Sequence, residues 1–309
     1  MEATMVLRGK WRNWVGAGVA AAALAGCGKD TKPNVAVEKQ DPAPMASIPG
    51  GPAATAAPAV AADPKTHQSF EDACVTEIGK NVPLELPPDL TYTGKNCGHL
   101  NDAVARMWNS IRFVGEDGKP QTFLAELDVV SGDTAIGTIE LVMRPELAPN
   151  HVRNFVALAS LQYYDGLRFD RVVKQQFEGE NGQTGKLVVL EAGSPVDTAE
   201  PARSHLGYWL KPEFNPDVKH EEGTVGACLL ACDDNEETAA VRFYINLTPA
   251  PAMDGNFTVF AKVTKGLDVA RKLAEQPVKG ADDGPDQGRP TTPLTIKKVT
   301  VKPVPVVVQ

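Results

Sequence analysis

The stretch Ala148-Pro-Asn-His-Val-Arg-Asn-Phe-Val-Ala-Leu-Ala-Ser160, followed closely by Tyr163-Tyr-Asp-Gly-Leu-Arg-Phe-Asp-Arg-Val172, decides the fold of this chain. Val152, Phe155, Val156 and Ala159 recur at i, i+3, i+4 and i+7, so the first part presents one apolar helical face. The second part runs through a turn into a strand that starts near Arg168 and carries Arg171.

Upstream of the helix, Phe123 to Val130 and Ala135 to Val142 alternate apolar and polar residues, with Ser131-Gly-Asp-Thr134 between them as turn chemistry. Downstream, short strands are expected over 168–173, 186–191, 224–230, 241–247, 258–263 and 295–301, with a second helix over 267–274. Many short strands and two helices predict a mainly β protein built as a closed antiparallel barrel. Before it, residues 68–119 read as a small helical extension, with Asn101 as helix N-cap and apolar positions running from Ala103 to Phe113.

The first 27 residues read as a targeting signal. Arg8, Lys10 and Arg12 precede an apolar stretch from Trp14 to Ala25 that is too short to span a bilayer well. It ends in Leu24-Ala25-Gly26-Cys27, which resembles the lipobox of bacterial lipoproteins. That resemblance implies lipidation at Cys27, each buried CH₂ adding roughly 0.8 kcal/mol to membrane attachment. The alternative is an ordinary secretory signal. Residues 28–67 are Ala- and Pro-rich, as in Pro44-Met-Ala-Ser-Ile-Pro-Gly-Gly-Pro52, and read as a disordered spacer. The expectation is a chain tethered on the extracytoplasmic side of a cell envelope.

Five cysteines suit an oxidising compartment. With Cys27 lipidated, Cys74 can pair with Cys97, and Cys228 with Cys232; the second couple reads as a disulfide or two reduced thiols, and no metal site is expected. The acidic run Asp233 to Glu237 reads as solvated charge. A net charge of −8 argues against nucleic-acid binding.

The opening stretch resembles the cyclophilins, whose Pro-x-Thr-x-x-Asn-Phe helix, Tyr-Tyr-Asp-Gly turn and Phe-His-Arg-Val strand it follows in order. Lys211-Pro-Glu-Phe214, Arg242-Phe-Tyr-Ile-Asn246 and Met253-Asp-Gly-Asn-Phe-Thr-Val-Phe-Ala-Lys-Val263 extend the likeness, which spans 120–303. It implies a cyclophilin-like eight-stranded barrel capped by two helices. It also implies peptidyl-prolyl cis-trans isomerase activity on proline-containing segments, with Arg171 catalytic; with the targeting signal, exported proteins are the expected clients, and a monomer is expected.

Turning an X-Pro bond means breaking amide resonance. No bond is made or broken overall, so no cofactor is implied. The site has to favour a twisted amide, with an apolar pocket for the ring and a fixed donor to the prolyl nitrogen. A guanidinium suits the donor role because it stays charged and planar. By the resemblance, Val188, Val189, Cys228, Tyr244, Met253 and Phe257 line the groove and Glu191 and Arg242 shape its rim. Several of these depart from the family pattern: Glu191 and Arg242 replace glutamines, Tyr244 replaces a phenylalanine, Phe257 replaces a histidine, Val188 falls at an aromatic position and Cys228 stands where an alanine is usual. Ala252 stands where a tryptophan is usual. An insertion from Lys174 to Lys186 leaves two alignments open, one with Val188 at the aromatic pocket position and one with Phe177. Glu191 and Arg242 are expected to form an ion pair. The rival reading is a catalytically weak or inactive peptide-binding module.

Overall fold

The computed structural model describes residues 70, 72–75, 78, 86–178, 184–198, 204–230, 238–280 and 287–306. The signal segment with Cys27, the spacer, Cys232 and the acidic run after it lie outside the described residues.

All eight strands expected from the alternation are present: β1 (Gln121–Ser131), β2 (Thr134–Met143), β3 (Phe169–Glu178), β4 (Thr184–Ala192), β5 (Thr224–Leu229), β6 (Thr238–Asn246), β7 (Val259–Lys265) and β8 (Leu294–Pro305). They form one antiparallel sheet in the order β3-β4-β6-β5-β7-β2-β1-β8. The end strands of that order meet through the single bridge between Arg168 and Thr295, flanked by Gly166 N–H to Ile296 O and Ile296 N–H to Leu167 O, both 2.8 Å. Among the described residues no ladder joins β3 to β8, so hydrogen bonds do not carry the sheet all the way around.

Among the described residues three full α-helices accompany the sheet: α1 (Cys97–Met107), α2 (Pro149–Ser160) and α3 (Leu267–Glu275). Pro149 opens α2, where its missing N–H and fixed φ cost nothing. Backbone N–H groups of Asn150 and His151 donate to Glu213 at 3.2 and 3.0 Å, so a carboxylate caps the positive end of the helix. The apolar face of α2 then delivers Phe155 into an aromatic cluster, with ring centroids 4.9 Å from Tyr164, 5.7 Å from Phe243 and 5.6 Å from Phe260.

The helix of the extension starts earlier than the sequence pattern predicts. Asn96, not Asn101, is the N-cap, its side chain accepting from His99 N–H at 2.8 Å. The extension packs into the core of the main fold. Cys97, Val104, Trp108 and Phe113 belong to the same buried cluster as the sheet and α2. Lys95 Nζ donates to Tyr163 O at 3.0 Å and to Asp165 O, and the Arg153 guanidinium lies over the Trp108 and Phe113 rings at 5.7 and 5.6 Å.

The expected Cys74–Cys97 disulfide is not formed. Cys97 is a free, buried thiol inside the shared core, and Cys74 Sγ donates to Phe70 O at 3.4 Å. Packing and not a covalent staple holds this region.

Trp108→Ala is expected to remove about 3–5 kcal/mol of stability, the cost of truncating a large buried ring. Urea unfolding should keep a single transition, because extension and sheet share one core; a separate early transition would show that they do not.

Candidate functional site

Strand register brings the site together. Arg171 on β3 lies opposite Glu191 on β4, Glu191 lies opposite Tyr244 on β6, and Tyr244 lies opposite Gly226 on β5. Directly opposed residues of an antiparallel sheet project to the same face. This rung therefore places Arg171, Glu191 and Tyr244 on one side, with Arg242 two residues from Tyr244 on that same side.

That face carries its own small apolar cluster, separate from the main core. Val189, Cys228, Tyr244 and Met253 belong to it, and Phe257 packs against it. The Tyr244 and Phe257 rings meet edge to face at 5.9 Å. So the structure unites Val189, Cys228, Tyr244, Met253 and Phe257 beside the polar trio of Arg171, Glu191 and Arg242. Val188 is the exception. Its side chain belongs to the main core on the other face, because neighbouring strand residues point in opposite directions. Phe177 is no better placed: its backbone pairs with Gly185 far out on the β3–β4 hairpin, six residues or about 20 Å along the strand from Arg171. The segment expected as an insertion is that hairpin, with β3 running on to Glu178 and β4 beginning at Thr184.

The expected ion pair is present and has a third member. Glu191 Oε2 lies 2.7 Å from Arg242 Nη2, a charge contact without hydrogen-bond alignment. Arg242 Nε donates to Asp170 Oδ1 at 3.1 Å, and Nη2 contacts the same oxygen. Ser194 N–H donates to Asp170 Oδ2 at 3.2 Å. All three charged groups are buried. Burial would make Arg242 a weaker base, but Asp170 and Glu191 outweigh it and keep the guanidinium charged. A register shift between Phe169 and Arg171 at the start of β3 accompanies this, so that Asp170 reaches Arg242 while Arg171 faces Glu191. Sequence reading missed Asp170. Its signal was an aspartate at the histidine position of the Phe-His-Arg-Val pattern, matched by new charges at 191 and 242.

Arg171 is 3% exposed. Gly288, at φ +81°, runs beside it: Val172 N–H donates to Gly288 O at 2.8 Å, and a Cβ there would lie 3.2 Å from Arg171 Cγ. Cys228 is a free buried thiol and not half of a disulfide, and burial pushes its pKa well up.

Residues 128–301 match the family described as cyclophilin type peptidyl-prolyl cis-trans isomerase/CLD. A peptidyl-prolyl cis-trans isomerase-like 1 of Neurospora crassa is 30% identical over 172 residues, covering 56% of this chain and 93% of the relative. The isomerase ppi1 of Schizosaccharomyces pombe is 30% identical over 165 residues, covering 53% and 93%. A solved cyclophilin type isomerase of Cryptosporidium parvum has 17% identity and a TM-score of 0.46, covering 59% of this chain and 98% of its own. The chain belongs to the cyclophilin-type peptidyl-prolyl cis-trans isomerase family.

Arg242→Gln, which restores the family's side chain at that position, is expected to cost about 3–5 kcal/mol, since it strands two buried carboxylates. Neutralising all three with Asp170→Asn, Glu191→Gln and Arg242→Gln should recover most of the loss. Chemical denaturation of both variants checks the pair, and equal losses would show that the charges are not coupled.

Proposed function

We propose that this protein is a peptidyl-prolyl cis-trans isomerase that acts on proline-containing segments of exported proteins, with Arg171 as donor to the prolyl nitrogen. The observation that carries the reading is the rung Arg171–Glu191–Tyr244, which sets a guanidinium beside an apolar cluster on one sheet face.

Planar amides of proline interconvert over tens of seconds because rotation must break C–N double-bond character. As the amide twists, the nitrogen becomes pyramidal and its lone pair becomes an acceptor. A guanidinium N–H aimed at that nitrogen gains strength only in the twisted state, which is the condition for catalysis. Tyr244, Met253, Phe257 and Val189 supply the apolar wall that holds the ring while the preceding carbonyl swings. Arg242 contacts both Asp170 and Glu191, so Glu191, opposite Arg171, already shares another cation.

The rival reading, a peptide-binding module of low turnover, draws support from burial. Arg171 is 3% and Tyr244 2% exposed, so a peptide must displace covering groups before it meets either. Turnover of an Ala-Pro test peptide by the full chain separates the two. Arg171→Ala is expected to lower kcat/KM about a hundredfold or more, in line with loss of one preorganised donor. Peptide binding with only background turnover in the wild type would leave the binding module standing.

The proposal extends to location. Cys27, following Leu24-Ala25-Gly26, is read as the lipidated residue of an envelope lipoprotein, with residues 28–67 as spacer to a monomeric isomerase of residues 120–303 and its extension. In a bacterial host, Cys27→Ser is expected to abolish labelling by radioactive fatty acid and to move the protein out of the membrane fraction.

A further inference from the structure

The Tyr244 hydroxyl is the one polar atom that the family's phenylalanine would not bring to this wall. It lies 2.9 Å from His220 Nε2. His220 Nδ1 lies 3.1 Å from Asp254 Oδ1, and the His220 backbone N–H donates to the same oxygen at 2.7 Å. Lys219 Nζ is 3.2 Å from the other carboxylate oxygen. His220 is 2% exposed and Tyr244 is as buried.

The protons can be assigned from chemistry. Burial would raise the Asp254 pKa, but hydrogen bonds from His220 and Lys219 outweigh it and hold the carboxyl below its usual range, so it only accepts. His220 Nδ1 must then carry the hydrogen. Burial lowers the imidazole pKa, which leaves Nε2 a bare acceptor. Burial raises the Tyr244 pKa, so its hydroxyl stays protonated and donates.

Two further contacts make the arrangement specific to this wall. A Cβ on Gly226 would fall 2.2 Å from Tyr244 Oη, so the hydroxyl occupies space that only glycine leaves open. His220 O accepts from Ala250 N–H at 2.7 Å, at the start of the short turn Pro251–Met253 that delivers Met253. One residue thus holds both Tyr244 and the turn carrying Met253, while its ring stacks on Tyr244 at 6.1 Å.

We propose that His220, oriented by Asp254, is a positioning residue that seats the Tyr244 ring and the Met253 turn as two walls of the proline pocket. This rests on the isomerase reading given above. It assigns the cost of the Tyr244 hydroxyl to a purpose: a buried donor is satisfied, and the ring carrying it is fixed.

The test uses the full chain, an Ala-Pro test peptide and the variants Tyr244→Phe, His220→Leu, their double, and His220→Gln. Each single variant should raise KM about fivefold with kcat within about twofold, since Arg171 is untouched and one modest hydrogen bond is lost. The double should be no worse than either single, and His220→Gln, which keeps an acceptor, should restore part of the KM. Unchanged KM in active, folded single variants, or effects that multiply in the double, would overturn the proposal. Imidazole nitrogen NMR of the wild type needs no variant to fold: the Nδ1–H form is expected, and the Nε2–H form sinks the idea. A wild type without turnover or peptide binding would instead remove the isomerase reading, and the pocket role with it.

Discussion

A single guanidinium, Arg242, makes the site face of this sheet affordable. Asp170 and Glu191 are both buried, and both carboxylates lean on the one guanidinium that lies between them. By holding both carboxylates, Arg242 fixes the start of β3 against β4 and β6. It also keeps Glu191 from standing as an uncompensated charge opposite Arg171.

The fold was legible because its periods are clean. Alternation over Phe123–Val130 and Ala135–Val142 corresponds to real sheet faces, and the 3.6-residue recurrence from Val152 to Ala159 to a real helix, although α2 is buried on all sides from His151 to Ala159. The β3–β4 hairpin was not legible. The residues between Lys174 and Lys186 read as an insertion against the family pattern, whereas backbone pairing carries both strands through the described ones. The early start of α1 was missed for a local reason, since Asn96 and Asn101 are both plausible caps and only the chain's path selects one.

The site was legible in kind more than in detail. Aligning Val188 and Glu191 to one groove ignored that they are three apart on a strand and so face opposite ways; the alternation places Val189 there instead. Arg242 was visible as a substituted position, but its contact with Asp170 was not. His220 left no sequence signal at all. It is 24 residues from Tyr244 and 34 from Asp254, and no spacing rule links three such positions across a loop, a strand and a turn. Long-range polar networks of this kind are decided by which segments the sheet brings together.

The seam between β3 and β8 has a consequence for motion. β3 has a full ladder on one side only; its other edge is fastened by a few backbone bonds near Gly166–Arg168 and at Val172. Sub-global opening begins where few bonds must be given up, so amide hydrogens at this margin exchange sooner than those of the doubly laddered β6. β3 and β8, each laddered on one side only, are therefore the strands whose outer edges can open with least disturbance to the rest of the sheet. Arg171, enclosed at rest, thus sits on a strand with one lightly fastened edge.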